Sequence, residues 1–347
     1  MSPLSQNSPN GNSFSSITVI GGGSWGTAIA FHLARKGYPI RLWVYESDVA
    51  RSINEQRENR LFLPGFRLPK NIEAFNDIHT VMEDAHTVVV VVPSNFYRRV
   101  VEDILPYLSD QAMILSASKG IEENSLKLMT QILEDLLPVS MHDRIACLSG
   151  PSFAREVADE KFTAVTVASR RTETALYFQN IFHTSFFRTY THHDPIGVQL
   201  GGALKNIIAI AVGIVDGMEM GTNARAALIT RGLAEISRIG DKLGADPTTF
   251  LGLSGIGDLV LTCTGNLSRN RNVGLKLGRG LTIEEITKNM RMVAEGISNT
   301  RSAYQLVKKL NVRAPVITGM YKILYQNTSL ERALEEILSS APKGEFD

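Results

Sequence analysis

Residues 201–215 contain a single charged side chain, Lys205, in an otherwise small and apolar segment, with Asn206 beside it. The segment is shorter than the roughly 20 apolar residues needed to cross a bilayer, so it predicts a buried helix of a soluble domain. Burial disfavours the ammonium form and lowers the pKa of a lysine towards the range in which it can transfer protons. The alternative is that Lys205 extends along its own stem and keeps its charge in water.

A glycine-rich turn lies near the start of the chain, where a β-branched run precedes Gly21, Gly23 and Gly26 and helical periodicity follows over residues 27–36. In a dinucleotide site the first glycine makes the turn, the second lets the backbone approach the pyrophosphate, and the third packs helix on strand. The phosphates would lie at the helix N-terminus, where unpaired amides favour anions. A glycine pattern alone also fits a tight turn, but a second strand-like run at residues 40–44 supplies the context for a dinucleotide site.

Further strand-like runs alternate with helical stretches, at residues 72–75, 87–92, 112–116, 144–148 and 164–168. This alternation predicts an α/β fold with an N-terminal Rossmann-type, doubly wound, mostly parallel sheet. Residues 87–92 are apolar on both faces, as in a central strand covered by helices on each side.

Helical periodicity dominates after residue 195, which predicts an all-helical C-terminal domain. We therefore expect a disordered tail at residues 1–15, a dinucleotide-binding domain at residues 16–194, and a helical substrate and catalytic domain at residues 195–340.

Polar residues follow three neighbouring strands of the predicted sheet. Ser94 and Asn95 follow one strand, Lys119 the next, and Gly150 and Ser152 the one after. Because ligands bind beyond the carboxyl ends of strands in such sheets, we expect these residues to rim one crevice. The alternative for Lys119 is a solvated loop lysine.

Small and polar residues are also dense at residues 254–272 of the helical half. There Ser268, Arg269 and Asn270 offer a hydroxyl, a guanidinium fork and an amide, which suit a phosphate. The alternative is a solvated polar loop.

Composition excludes several classes of protein. The chain has 347 residues, 44% of them hydrophobic, which is enough for roughly two domains. A net charge of +1 gives no case for a nucleic-acid or membrane partner. Cys147 and Cys263 show neither metal-ligand spacing nor a disulfide framework, so we expect a reducing, cytoplasmic compartment. Residues 1–15 contain no Lys or Arg and no apolar core, which argues against a secretory signal or transit peptide.

The seven histidines include no pair at metal-binding helical spacing. His192, His193 and Asp194 are interpreted as a surface turn at the domain junction. Since no nucleophile motif with a paired base is present either, we expect no metal, and the chemistry must depend on lysines and a cofactor.

Taken together, these motifs resemble those of the NAD(P)-dependent glycerol-3-phosphate dehydrogenases, which interconvert dihydroxyacetone phosphate and sn-glycerol 3-phosphate. The resemblance runs from about residue 17 to about residue 338. In chain order the matching motifs are GGGSWG (21–26), VPS (92–94), SKG (118–120), SGPSFA (149–154), VQLGGALKN (198–206), NARA (223–226), GDLVLTC (257–263), SRN (268–270) and VAEG (293–296).

The resemblance implies that Lys205 is the proton donor and acceptor at the carbinol oxygen, in a catalytic group with Lys119 and Asp258. Residues implied to bind the substrate are Lys119, Gly150, Ser152, Lys205, Asp258, Ser268, Arg269 and Asn270. Residues expected to contact the nucleotide are Gly21, Gly23, Ser24, Trp25, Gly26, Tyr45, Glu46, Lys119, Ala154, Arg269, Val293 and Glu295. It also implies a cytoplasmic homodimer, without membrane insertion, that supplies phospholipid synthesis.

This assignment agrees with the chemistry of the residues. Hydride would arrive from the nicotinamide while Lys205, beside the second cation Lys119, supplies a proton to the carbonyl oxygen. Asp258 would either orient Lys205 or simply neutralise it, and the sequence leaves both roles open.

The sequence departs from the family where the second strand ends. Many members carry His or Arg there, whereas this chain has Tyr45 and Glu46. Glu46 lies close to the ~20-residue offset at which an acid accepts hydrogen bonds from the adenosine ribose, and it would repel a 2′-phosphate. In the alternative, Glu46 turns outward and Arg41 or Arg51 pairs the phosphate. We favour NAD over NADP.

Two other functions fit parts of the pattern. A hydroxyacid dehydrogenase of similar two-domain layout would lack the phosphate loop at residues 268–270. A dinucleotide sensor without turnover would have no use for Lys119, Lys205 and Asp258 together.

Overall fold

The computed structural model describes residues 15–288 and 294–338, and its first half is built on one eight-stranded sheet. The strands are β1 (Ile17–Ile20), β2 (Ile40–Trp43), β3 (Ile72–Phe75), β4 (Thr87–Val90), β5 (Met113–Ser116), β6 (Ile145–Ser149), β7 (Thr163–Ala168) and β8 (Phe187–His192). Their order is β3-β2-β1-β4-β5-β6-β7-β8, with β6 and β7 antiparallel and every other pair parallel. The predicted doubly wound, mostly parallel sheet is therefore confirmed.

Helices cover both faces of this sheet. They are α1 (Ser24–Arg35), α2 (Ser47–Gln56), α3 (Ile78–Met82), α4 (Tyr97–Ile104), α5 (Met129–Leu136), α6 (Ala154–Ala158) and α7 (Thr172–Phe182). The central strand β4 is fully buried, with Val89 in the core on one face and Val88 and Val90 in the core on the other. This is the arrangement that a run of apolar residues without alternation predicts.

The C-terminal half is helical and packs around one long helix. Its helices are α8 (Pro195–Gly217), α9 (Thr222–Lys242), α10 (Asp258–Thr264), α11 (Arg269–Gly278), α12 (Ile283–Lys288), α13 (Glu295–Leu310), α14 (Pro315–Gln326) and α15 (Leu330–Leu338). By length and composition α8 could cross a membrane, but its apolar window is 100% buried within the protein. It contacts α9, α10, α11, α13 and α14, so α8 is the core helix of this half.

Two sequence interpretations are wrong. Strand β8 is missing from the predicted set, because most of its residues after the buried Phe187 are polar, which gives a weak strand signal at the edge of the sheet. Asp194 does not lie in a surface turn. It is 7% exposed and caps α8, where it accepts hydrogen bonds from Gly197 N at 2.8 Å, Asp246 N at 2.9 Å and Thr249 Oγ1 at 2.7 Å.

Residues 1–14 of the predicted tail lie outside the described residues.

Helices α8 and α11 approach each other through facing glycines. A Cβ atom added at Gly213 would lie 2.1 Å from Arg271 O and 2.9 Å from Gly274 Cα, and one at Gly274 would lie 1.9 Å from Ile210 O. Backbone therefore packs directly on backbone, which fixes the distance between the two helices.

We expect Gly213→Ala to lower the free energy of unfolding by about 1–3 kcal/mol, as overpacking of a tight core does. Helix propensity alone would make the alanine variant more stable by about 1 kcal/mol. A loss of stability would therefore show that the close contact between the two helices outweighs helix propensity. Urea denaturation measures it. The control is Gly257→Ala, because a Cβ there meets only ordinary contacts at 3.6–3.8 Å. Equal stability of the two variants would contradict the prediction.

Candidate active site

The glycine-rich turn joins β1 to α1 and forms an open cradle. Gly21 has φ +123°, and a Cβ on Gly26 would lie 1.8 Å from Gly21 O, so both positions require glycine. A Cβ on Gly23 would meet nothing within 4 Å. Since α1 begins at Ser24, the open position Gly23 lies at the helix N-terminus, where unpaired N–H groups donate to anions. The cradle therefore fits the pyrophosphate of a dinucleotide.

Two other residues of this turn are held by the protein itself. Ser24 Oγ donates to Phe62 O at 2.6 Å. Trp25 is half-buried against the core of the sheet, with its indole N–H buried and without a hydrogen-bond partner.

Lys205, Asp258 and Lys119 form one connected charge group. Lys205 Nζ donates to Asp258 Oδ1 at 2.5 Å, and Lys119 Nζ donates to Asp258 Oδ2 at 2.7 Å. Lys205 is 7% exposed and Asp258 is 0% exposed. The alternative in which Lys205 extends to the surface is therefore wrong, and Asp258 bonds both lysines at once.

The local fold explains how these three side chains meet. Lys205 lies in the middle of α8, Asp258 is the first residue of α10, and Lys119 follows β5. A single π-helical turn at Leu253–Gly257 leads into α10, a geometry that often occurs at functional sites.

Thr262 is a member of this group that sequence reasoning did not single out. Lys205 Nζ donates to Thr262 Oγ1 at 2.7 Å, and Thr262 Oγ1 donates to the backbone oxygen of Asp258 at 2.6 Å. Its signal in the sequence is its position four residues after Asp258, which places both on one helix face.

Burial lowers the pKa of Lys205 from 10.5 to about 8. The Asp258 carboxylate opposes this shift and the Lys119 cation reinforces it. Ammonium and neutral amine are therefore both accessible near neutral pH, as a group that transfers protons in both directions requires.

Three of the five residues predicted to rim one crevice, Lys119, Gly150 and Ser152, are joined by hydrogen bonds. Lys119 Nζ donates to Gly150 O at 3.3 Å, and Ser152 Oγ donates to the same oxygen at 3.0 Å. Ser94 is buried and its hydroxyl donates to Asn299 Oδ1 at 3.4 Å, whereas Asn95 is exposed. Lys119 is thus a partly buried site lysine and not a solvated loop residue.

The three residues at 268–270 differ in their surroundings. Ser268 caps α11, its hydroxyl accepting from Arg271 N at 3.2 Å, and Asn270 Oδ1 accepts from Gly296 N at 3.0 Å. Arg269 is exposed, and within the described part of the chain it forms no ion pair. Its exposed guanidinium is therefore available to an anionic ligand.

Residues at the start of α13 and α6 complete the predicted nucleotide contacts. Burial raises the pKa of Glu295, opposed by the nearby cations Arg269, Lys119 and Lys205. Ala154 begins α6 and packs against the core of the sheet. Val293, also predicted to contact the nucleotide, lies outside the described residues.

Tyr45 and Glu46, which are both predicted to contact the nucleotide, follow β2. Tyr45 is 77% exposed, and Glu46 stands at the N-cap of α2 without a capping hydrogen bond. Arg41 instead bonds the backbone oxygens of Thr80 and Val81 and lies over the Phe75 ring. Arg41 is thus occupied away from a 2′-phosphate, while Arg51 is exposed on α2.

No group of three or more His, Cys, Asp or Glu side chains that could hold a metal ion occurs within residues 15–288 and 294–338.

Comparison with known proteins matches both halves of the chain to one family. Residues 16–175 match the N-terminal family model of NAD-dependent glycerol-3-phosphate dehydrogenase, and residues 194–335 match the C-terminal one. A glycerol-3-phosphate dehydrogenase [NAD(P)+] of Citrifermentans bemidjiense is 51% identical over 329 residues, which cover 95% of this chain and 98% of that protein.

Solved structures give the same result. The crystal structure of glycerol-3-phosphate dehydrogenase from Coxiella burnetii superposes with a TM-score of 0.89 at 37% identity, covering 94% of this chain and 100% of that one. A D-mandelate dehydrogenase with NADH reaches a TM-score of 0.60 at 13% identity, covering 90% of this chain and 97% of that one, and shares the fold alone.

The two alternative functions, a hydroxyacid dehydrogenase and a dinucleotide sensor without turnover, are therefore not favoured. With each half matched by its own model and about half of all residues identical to a relative across nearly the full length, this chain belongs to the NAD-dependent glycerol-3-phosphate dehydrogenase family.

Proposed function

We propose that this chain catalyses reversible hydride transfer between NAD(P)H and dihydroxyacetone phosphate, giving sn-glycerol 3-phosphate. As a member of its family it is an oxidoreductase that uses NAD or NADP. The observation that carries the proposal is the bond of Asp258 to both Lys205 and Lys119. Lys119 follows β5 and the glycine turn follows β1, so both lie at the same edge of the parallel sheet, where such folds bind ligands.

The chemistry divides between the cofactor and the lysines. A bound reduced nicotinamide supplies the hydride. Lys205 Nζ donates a proton to the carbonyl oxygen during reduction and, as a neutral amine, accepts it from the hydroxyl during oxidation. Lys119 stabilises negative charge on that oxygen, and Asp258 fixes both Nζ atoms in place.

The substrate phosphate binds at the first turn of α11. Arg269 supplies the guanidinium fork, which matches phosphate oxygens in pairs. Ser268 and Asn270 hold α11 and the start of α13 in position through the bonds described above. Gly150 and Ser152 would contact the substrate beside Lys119, to which Gly150 is bonded.

NAD is the favoured cofactor, because Glu46 is a carboxylate near the expected ribose position and Arg41 is bonded elsewhere. The remaining nucleotide contacts are those predicted at Gly21, Gly23, Ser24, Trp25, Gly26, Tyr45, Lys119, Ala154, Arg269, Val293 and Glu295.

We also propose a cytoplasmic homodimer, without membrane insertion, that supplies phospholipid synthesis. The burial of α8 within the protein supports the absence of membrane insertion. The two free, buried cysteines support a reducing compartment. The family resemblance supports the dimer. We also propose domain boundaries at residues 16–194 and 195–340, which the change from sheet to helices at α8 supports.

The direct test follows NADH and NADPH oxidation by absorbance with dihydroxyacetone phosphate as substrate. We expect substrate-dependent oxidation. Its absence with both nucleotides would overturn the proposal.

We expect Lys205→Met to reduce turnover by about 10²–10⁴, the usual contribution of a positioned proton-transfer group, with little change in nucleotide affinity. In the unmutated enzyme, kcat/KM for reduction should fall as pH rises through about 8, because the ammonium donor is lost. For oxidation kcat/KM should rise through the same pH. Steady-state pH profiles measure both.

The matched control is Lys322→Met, because Lys322 pairs with Glu336 on the surface between α14 and α15. It should keep full turnover. Near-normal turnover of Lys205→Met would refute the proton-transfer role.

We expect Arg269→Ala to raise KM for dihydroxyacetone phosphate far more than for unphosphorylated dihydroxyacetone, because a guanidinium fork recognises the phosphate. Arg271→Ala is the control on the same helix, since Arg271 pairs with Asp216 and should affect both substrates alike. If Arg269→Ala weakens both substrates equally, Arg269 acts on the nucleotide or the fold.

The double change Tyr45→Arg with Glu46→Ser should raise kcat/KM for NADPH and lower it for NADH, because it replaces a carboxylate by a cation near the ribose. Initial rates with both nucleotides measure this. Glu46→Ser alone removes the repulsion between the carboxylate and the 2′-phosphate without adding the attraction of the new arginine, so it separates the two effects. An unmutated enzyme that uses NADPH tenfold better, about 1.4 kcal/mol in transition-state binding, would show that Glu46 does not face the ribose.

A further inference from the structure

Asn59 belongs to none of the site assignments above, yet its side chain is completely buried against the glycine turn. Its Nδ2 donates to Gly22 O and to Thr27 Oγ1, each at 2.8 Å, and its Oδ1 accepts from Phe62 N at 3.0 Å. Because a backbone oxygen can only accept, the amide nitrogen must face Gly22. Both amide hydrogens and the amide oxygen are therefore used.

The Gly22 oxygen accepts hydrogen bonds from two side chains. Besides Asn59, Thr27 Oγ1 donates to it at 3.1 Å. In a planar trans peptide the C=O and the following N–H point in opposite directions. Fixing Gly22 O towards the buried Asn59 side therefore turns the Gly23 N–H towards the open side of the turn.

That open side is where an anion would bind. A Cβ on Gly23 would meet nothing within 4 Å, and within the described part of the chain no hydrogen bond uses the Gly23 N–H. An unpaired N–H at the start of a helix is a donor for phosphate oxygens.

The segment that carries Asn59 contacts the turn a second time. Leu63 N donates to Asn59 O at 2.9 Å, which closes a small loop, and Phe62 O accepts from Ser24 Oγ. Side-chain and backbone groups of residues 59–63 therefore hold both Gly22 and Ser24.

We propose that Asn59 is a positioning residue for the pyrophosphate site: it fixes the Gly22–Gly23 peptide so that the Gly23 N–H points at the dinucleotide. The proposal rests on the proposed function only in that a dinucleotide binds at this turn. A preformed donor avoids the ordering that a mobile turn would require on binding, so loss of Asn59 weakens binding of every ligand that contains the pyrophosphate.

The test is the dissociation constant of ADP-ribose, measured by titration calorimetry, for the unmutated protein and for Asn59→Ala. ADP-ribose carries the pyrophosphate and needs no turnover. We expect its affinity to fall about tenfold, the loss of one well-placed hydrogen bond. KM for NADH should rise similarly, while kcat at saturating NADH and KM for dihydroxyacetone phosphate stay within about twofold.

Asn54→Ala is the matched control. Asn54 makes the same kind of contact, with Nδ2 to Ala74 O and Oδ1 from Ala74 N, each at 2.8 Å, but between α2 and β3. It should lower the melting temperature without changing the ADP-ribose affinity. Thr27→Val, which removes the second donor to Gly22 O at nearly constant shape, should weaken ADP-ribose in the same direction and serves if Asn59→Ala does not fold.

An ADP-ribose affinity within about twofold of the unmutated protein for a folded Asn59→Ala, or for Thr27→Val in its place, would overturn the proposal. An equal loss in Asn54→Ala would overturn it too. An unmutated protein that binds ADP-ribose but does not reduce dihydroxyacetone phosphate would refute the proposed function alone, and the comparison of variants would still decide the role of Asn59.

Discussion

The site depends on one buried carboxylate that pairs with two lysines. Asp258 is completely buried, and each of its oxygens accepts from a different ammonium group, Lys205 or Lys119. A buried charge without a partner is strongly destabilising, so each of the three groups makes the burial of the others tolerable. Because Lys119 follows a strand of the sheet while Lys205 and Asp258 lie on helices of the second half, this charge group exists only when the two halves are packed together.

That packing explains the small residues around Lys205. A Cβ at Gly202 would lie 2.5 Å from Ser149 Oγ and 3.5 Å from Lys119 Cδ. Glycine on this face of α8 therefore lets the end of β6 and the stem of Lys119 approach the helix, which brings Lys119 within reach of Asp258. The sequence GGALK thus combines the contact surface and the buried lysine in one helical turn and a half.

Local patterns predicted much of this arrangement. The glycine turn, the central strand and the buried Lys205 each follow from residues close together in the chain, so periodicity and spacing suffice to find them. Asp258, the partner of Lys205, lies 53 positions further along the chain. Its hydrogen bonds to both lysines depend on tertiary packing that no local pattern encodes. The buried positions of Asn59 and Asp194 were not predicted for the same reason. A polar residue in a loop is expected to be solvated until the contacts that bury it are known. Strand β8 was not predicted because most of its residues are polar, as is common in a strand at the edge of a sheet.

On the proposed mechanism, the distribution of charge separates substrate binding from proton transfer. The single negative charge of Asp258 is shared by Lys205 and Lys119, so the three groups together carry one net positive charge while Lys205 is an ammonium. Lys205 is only 7% exposed and its pKa is lowered to about 8, so it presents little of that charge to a phosphate at the rim. Arg269 is exposed and Lys119 is only partly buried, so these two side chains present the positive charge at the crevice. With a net charge of only +1 for the whole chain, attraction of an anionic substrate must arise locally, from these two residues and the helix N-termini. On the proposed mechanism, the substrate phosphate is therefore held at the rim while the carbonyl reaches the buried Lys205, whose proton is exchanged away from bulk water.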